Sequence, residues 1–144
     1  MYLVDASVWV SRFIPADVHH DNSYRWLSAQ VVQGRPLVAP ALLLAEVVGA
    51  VARRSGSSPV AAHAVSLMQR LPNARLVTVD IDLAQLGAQL AAELRLRGSD
   101  ALYVALAYRL SIPLVTWDEE QRERGTPVVT AMTPPEALSS QTTS

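Results

Sequence analysis

Apolar residues recur at helical spacing along most of this chain, and five short runs of near-continuous apolar character interrupt them. Alternation of this kind predicts strands and helices in turn around a mostly parallel sheet, an α/β fold class. Strands are expected at 2–5, 36–39, 75–79 and 113–116, with Val128-Val129 as a last edge strand. Between them the spacing predicts a short helix capped by Ser7, carrying Val8, Trp9, Val10 and Phe13 and stopped by Pro15. Further helices are expected over 20–33 with Gly34 as its stop, over 41–54, and over 58–71 with Pro59 at its first position. Another runs from an Asp82 cap to Arg97 and ends at Gly98. Ser99 then caps a helix reaching Leu110, and a short charged helix covers 118–124. The pattern makes one domain of 1–138, and the Ser/Thr-rich residues 139–144 are expected to form a disordered tail.

Four carboxylates break this pattern. Asp5 ends the apolar run Met1-Tyr2-Leu3-Val4, and Asp118 ends Leu114-Val115-Thr116-Trp117. Glu46 interrupts an apolar helix between Ala45 and Val47, and Asp100 opens Ala101-Leu102-Tyr103-Val104. An ionised carboxylate removed from water is costly unless an opposite charge meets it, and no arginine adjoins any of the four in sequence. A shared divalent cation answers that need. Each taken alone has a local alternative: Asp100 follows a cap, Asp118 can cap the helix after it, and Glu46 can be solvated. The alternative is weakest for Glu46, whose neighbours on both sides are apolar.

In an open parallel sheet, ligands bind beyond the carboxyl ends of the strands, where Asp5 and Asp118 stand. Ser7 and Thr116 add small oxygen ligands at the same rim, with capping and strand propensity as their alternatives. An all-oxygen site of this kind suits Mg²⁺ or Mn²⁺, ions that activate water and stabilise charge in phosphodiester displacement. Asp80 and Asp82 read as turn and cap, and His19, His20 and His63 as surface residues.

Composition narrows the class. The chain has 144 residues, half of them hydrophobic, enough for one domain with a proper core. Its formal charge of −1 excludes nucleic-acid binding by bulk charge, so any such contact must be local. It has no cysteine, which removes disulfides and thiolate metal sites. All twelve basic residues are arginine, which removes Schiff-base and P-loop chemistry. No positively charged leader precedes the first strand and no apolar run is long enough to span a membrane, so a soluble cytoplasmic protein is expected.

The segments Tyr2-Leu3-Val4-Asp5-Ala6-Ser7-Val8, Leu44-Ala45-Glu46-Val47, Gly98-Ser99-Asp100-Ala101-Leu102-Tyr103-Val104-Ala105-Leu106-Ala107 and Leu114-Val115-Thr116-Trp117-Asp118 together resemble the PIN-domain nucleases. Within that family the likeness is to the VapC-like toxins of bacterial toxin–antitoxin pairs. The resemblance spans nearly the whole chain and implies a three-layer α/β/α sandwich. It also implies Mg²⁺- or Mn²⁺-dependent endoribonuclease activity on single-stranded RNA, and inhibition by a small cognate antitoxin. Asp5, Glu46, Asp100 and Asp118 take the acidic catalytic and metal-binding places, and Arg12, Arg53, Arg54, Arg95 and Arg97 can contact phosphates.

Two other classes compete. A receiver-type signalling domain also holds Mg²⁺ in an acidic pocket, but it ordinarily uses a lysine this chain lacks. A degenerate protein-binding module is the second; four intact carboxylates speak against it. Finally, helices 41–54 and 58–71, with Leu67, Met68 and Leu71, offer more apolar surface than a short sheet covers, and Trp9, Phe13 and Trp26 add aromatic anchors. A homodimer with an antitoxin peptide seated in a groove on these helices is therefore expected.

Overall fold

The computed structural model describes residues 1–142. In chain order its elements are β1 (Tyr2–Val4), α1 (Ala6–Phe13), α2 (His20–Val32), β2 (Leu37–Pro40), α3 (Leu43–Ser55), α4 (Ser58–Arg70), β3 (Ala74–Val77), α5 (Ile81–Leu94), α6 (Gly98–Leu110), β4 (Leu114–Val115), α7 (Glu119–Gly125), β5 (Ala131–Met132) and α8 (Pro134–Thr142). The strands are short, and the inner three are apolar because helices cover both faces of the sheet. Every residue of β1, β2 and β4 is buried, whereas β3 and β5, at the edges, are partly open. The architecture is a three-layer α/β/α sandwich around a five-stranded sheet.

All pairings are parallel and the strand order is β3-β2-β1-β4-β5. Leu3 lies opposite Val38 on one side and Leu114 on the other. The order therefore reverses direction between β1 and β4, and the crevice beyond their carboxyl ends is the topological switch point. Asp5 and Thr116 are the residues that follow those two strands.

The core centres on Leu3, Val4, Leu114 and Val115 of the sheet and on Tyr103, Val104 and Leu106 of α6, all fully buried. Trp26 of α2 is also fully buried and meets Tyr2 edge-on, with ring centroids 5.5 Å apart. It is a core residue, so its expected role as a surface anchor is incorrect. α5 packs closely on α6 because Gly87 has no side chain: a Cβ there would lie 2.8 Å from Leu102 Cδ2. Gly87→Val should destabilise the fold by about 1–3 kcal/mol through overpacking. The urea midpoint should fall with its slope unchanged; a wild-type midpoint would show that Leu102 yields freely.

Several boundaries differ from the expected ones, each for a local reason. Asp5, not Ser7, caps α1, its carboxylate accepting from Ser7 N at 3.0 Å. Asp80, not Asp82, caps α5 by accepting from Leu83 N at 2.8 Å. That helix stops at Leu94 because Arg95 turns left-handed (φ 56°), short of Arg97 and Gly98. Gly98 begins α6, and Ser99 lies inside the helix instead of capping it. Val128 and Val129 are not a strand: both backbone amides donate to Gly125 O at 3.0 Å, closing a turn after α7, and the edge strand forms three residues later.

The tail differs most. Residues 139–142 continue α8, which was not expected; 143 and 144 lie outside the described residues. The Glu136 carboxylate accepts from Thr133 N at 2.7 Å and Thr133 Oγ1 at 2.8 Å, setting the start of this helix, with Pro134 in its first turn. Ala137 is fully buried, and Gln141 Nε2 donates to Tyr2 OH at 2.9 Å. The same Nε2 donates to Gln30 Oε1 at 3.4 Å, so the segment docks against both β1 and α2. Among the described residues no helix is long and apolar enough to cross a membrane.

Candidate active site

Asp5 is delivered by β1 and fixed by the start of α1. It is buried, with 5% of its surface exposed. Its Oδ2 accepts from Ser7 N at 3.0 Å and from Thr116 Oγ1 at 3.1 Å, and its Oδ1 accepts from Gln121 Nε2 at 3.5 Å. Burial raises its pKa above the ordinary carboxylate value, and these hydrogen bonds pull the other way. Thr116 also accepts from Asp118 N at 3.0 Å, while Ser7 Oγ accepts from Trp117 N at 3.0 Å and lies 3.3 Å from Thr116 Oγ1. Ser7 and Thr116 thus bind the ends of β1 and β4 into one rim.

Glu46 approaches from α3. That helix buries only the stripe Leu43, Val47 and Val51, so Glu46 is half-buried and Val48, on the far side, is open. The reading of Glu46 as walled in by apolar neighbours is therefore incorrect. Its pKa is nonetheless raised, first by burial and also by the charge of Asp5, while the hydroxyl of Tyr103, donating to Oε1 at 2.6 Å, opposes this. Burial and the neighbouring carboxylates raise the Tyr103 phenol far above its usual range, so it stays a proton donor.

Asp100 enters from the first turn of α6. Its pKa is pushed up to about 6 by burial first, then by the charges of Asp5, Asp118 and Glu46, with Arg97 opposing. Asp5, Glu46 and Asp100 line one open cleft of about 510 Å³, together with Ser7, Arg53 and Arg54. Asp118 does not line it. Its carboxylate caps α7, Oδ1 accepting from Gln121 N at 2.7 Å, and it reaches the cleft through its charge on Asp100. The local capping alternative for Asp118 is thus realised alongside its place in the acidic field.

Among the described residues no three His, Asp or Glu side chains are grouped tightly enough to enclose an ion as they stand. The donor set nevertheless suits a hard divalent cation: it is all oxygen, with no sulfur or imidazole, and its carboxylates raise one another's pKa where burial already raises it. Arg54 is paired with Asp17 at 2.6 Å, Arg12 lies over the rings of Tyr24 and Phe13, and Arg53 forms no ion pair among the described residues. His19 is not a free surface residue. Its ring stacks on Trp117 at 3.8 Å, and the Trp117 indole donates to Ser23 Oγ at 2.8 Å.

Two residues of this neighbourhood, Tyr103 and Gln121, were not singled out in the sequence. Both follow an acidic residue by three positions, Tyr103 after Asp100 and Gln121 after Asp118. That spacing puts Tyr103 on the face of α6 that carries Asp100 and Gln121 one turn beyond the Asp118 cap, the signal that could have found them, although their side-chain partners lie on other elements.

The model of the PIN domain matches residues 2–126. No curated protein matches the sequence. Among solved structures, the chain is similar to Mycobacterium tuberculosis VapC20, described as a Sarcin-Ricin loop cleaving toxin (TM-score 0.75, 19% identity, covering 87% of this chain and 95% of that one). It is also similar to VapBC2 from Rickettsia felis bound to a DNA fragment from its promoter (TM-score 0.71, 15% identity, 92% and 97% covered). A third likeness is to PAE2754 from Pyrobaculum aerophilum (TM-score 0.68, 24% identity, 99% and 97% covered). With the matched segment running from the first strand to the end of α7, the chain belongs to the PIN domain family.

Proposed function

We propose that this protein is a Mg²⁺- or Mn²⁺-dependent endoribonuclease acting on single-stranded RNA in the cytoplasm, as the toxin of a toxin–antitoxin pair. The observation that carries the reading is the meeting of Asp5, Glu46 and Asp100 at one cleft on the switch point, within the field of Asp118. Asp5, Glu46, Asp100 and Asp118 are the residues that would hold the cation. When bound, it supplies Lewis-acid activation of water and neutralises charge gathering on the phosphate.

The chain's own groups do the rest. Ser7, Thr116 and Gln121 keep Asp5 from rotating, and Tyr103 engages one oxygen of Glu46, leaving Oε2 without a partner among the described residues. Arg53, at the lip of the cleft, is placed to meet a phosphate of the strand, which is how a chain of net charge −1 can take RNA locally. Purified protein freed of any antitoxin should cut single-stranded RNA in Mg²⁺ or Mn²⁺ and lose that activity in excess chelator. Undiminished cleavage in chelator would refute the metal dependence, and no cleavage in either ion would favour a binding module.

The partner reading rests on a separate surface. Trp9 and Met68 line two cavities, of about 260 and 320 Å³; Leu44 and Leu76 border one, and Phe13 and Leu67 the other. Leu67 and Leu76 remain open to solvent at 38% and 41%. An amphipathic antitoxin segment fits this trough, with its apolar side chains in the cavities. Leu67→Glu should weaken binding of the cognate antitoxin by tenfold or more, about 1.4 kcal/mol, in a titration. Equal affinity would move the antitoxin elsewhere. We also propose a homodimer, which sedimentation at micromolar concentration would reveal; a monomer there would refute it.

A further inference from the structure

α7 is a helix of charged residues with one inward stripe, Gln121 and Gly125. Gly125 faces Val104 of the core: a Cβ there would lie 3.6 Å from Val104 Cγ2. Position 121, one turn earlier on the same stripe, is fully buried, and helix patterning calls for an apolar side chain there. The chain places an amide instead. Its Nε2 donates to Asp5 Oδ1 at 3.5 Å and to the Asp100 backbone carbonyl at 3.3 Å, while its Oε1 is buried with no hydrogen-bond partner. An unsatisfied buried acceptor opposes stability, so packing alone does not account for glutamine. Breaches of local patterning concentrate where function requires them.

We propose that Gln121 is a positioning residue, a single amide that ties the Asp5 carboxylate to the first turn of α6 and so sets the spacing of Asp5 and Asp100. This rests on the reading of the cleft as a cation site. The residue touches neither substrate nor reacting atoms; it acts by holding two of the carboxylates in register from the side opposite Ser7 and Thr116. Neither of those hydroxyls reaches Asp100, so no other side-chain hydrogen bond among the described residues links the two elements.

The test uses the full chain with Gln121→Met, which keeps the volume and removes the amide, and Gln121→Asn, which keeps the amide and shortens its reach. Mn²⁺ alone is titrated against the melting temperature and, separately, against RNA cleavage. Both variants should need about 10–100-fold more Mn²⁺ to reach half of the thermal shift and half of the activity. In chelator, Gln121→Met should melt below wild type, because losing the amide leaves Asp5 Oδ1 and the Asp100 carbonyl without its donor while removing only one orphaned acceptor. A purely structural glutamine predicts that same fall in chelator with both Mn²⁺ midpoints unmoved. That pairing overturns the proposal, as does a wild-type midpoint in Gln121→Asn should the methionine variant fail to fold. Wild-type protein that answers to Mn²⁺ in neither assay would instead overturn the cation-site reading, and the positioning role with it.

Discussion

Asp5→Asn should lower RNA cleavage by at least about 10²-fold, the scale on which losing one preorganised group at a reacting centre is felt, while leaving the fold intact. The substitution is nearly isosteric, and the hydrogen-bond pattern shows why it should be tolerated. The amide oxygen can take the place of Oδ2, keeping the Ser7 N and Thr116 hydroxyl donors and therefore the cap of α1. The new NH₂ then faces the Gln121 amide, whose own oxygen has no partner and can turn to accept it. Burial raises the Asp5 pKa, so removing its charge also removes a desolvation penalty. The melting temperature in chelator should match or exceed that of wild type. Cleavage within about threefold of wild type by a well-folded Asp5→Asn protein would remove Asp5 from the chemistry, and with it the centre of the cleft.

The strands that precede Asp5 and Asp118 were legible in the sequence because a parallel strand buried on both faces is apolar at every position, so a carboxylate closing such a run stands out. The helices were legible from their period, and the open-sheet rule put Asp5 at the crevice, whereas Asp118, put there by the same rule, caps α7 instead of lining the cleft. What was not legible depended on atoms more than on pattern. Which of two neighbouring polar residues caps a helix, as with Asp5 against Ser7 or Asp80 against Asp82, turns on a backbone dihedral that composition does not encode. The helix after Thr133 was hidden by Ser/Thr content, although Thr133 and Glu136 stand at capping-box spacing. The exposure of Glu46 is hidden by the apolar content of α3, which does not reveal its angular distribution: Val48 is apolar yet faces water. Gln121 is hidden inside a charged run, because only the fold reveals which face of α7 turns inward.

A gain in stability from removing a charge is expected at Asp100. Its pKa in the folded chain is about 6 against 3.8 for the free side chain, raised by burial and then by Asp5, Asp118 and Glu46. Between those two values the folded state holds more protons than the unfolded one, so stability falls as pH rises from about 4 to about 6. Above that range the full penalty is present, so the wild-type protein in chelator carries it at neutral pH. Asp100→Asn removes the charge. It should abolish cleavage yet melt about 2–5 °C above wild type in chelator at pH 7.5, with the difference closing toward pH 4. Loss of a favourable first-turn charge opposes this by about 0.3–1 kcal/mol. A rise from 3.8 to about 6 outweighs that, even when discounted for the solvent that reaches a half-buried group. Mg²⁺ should reverse the order, raising the wild-type melting temperature more than the variant's, because only the wild type offers the full set of carboxylates. Four melting curves, each protein with and without Mg²⁺, decide the matter. A variant destabilised equally in both conditions and still able to cut RNA would mean that Asp100 serves only the start of α6.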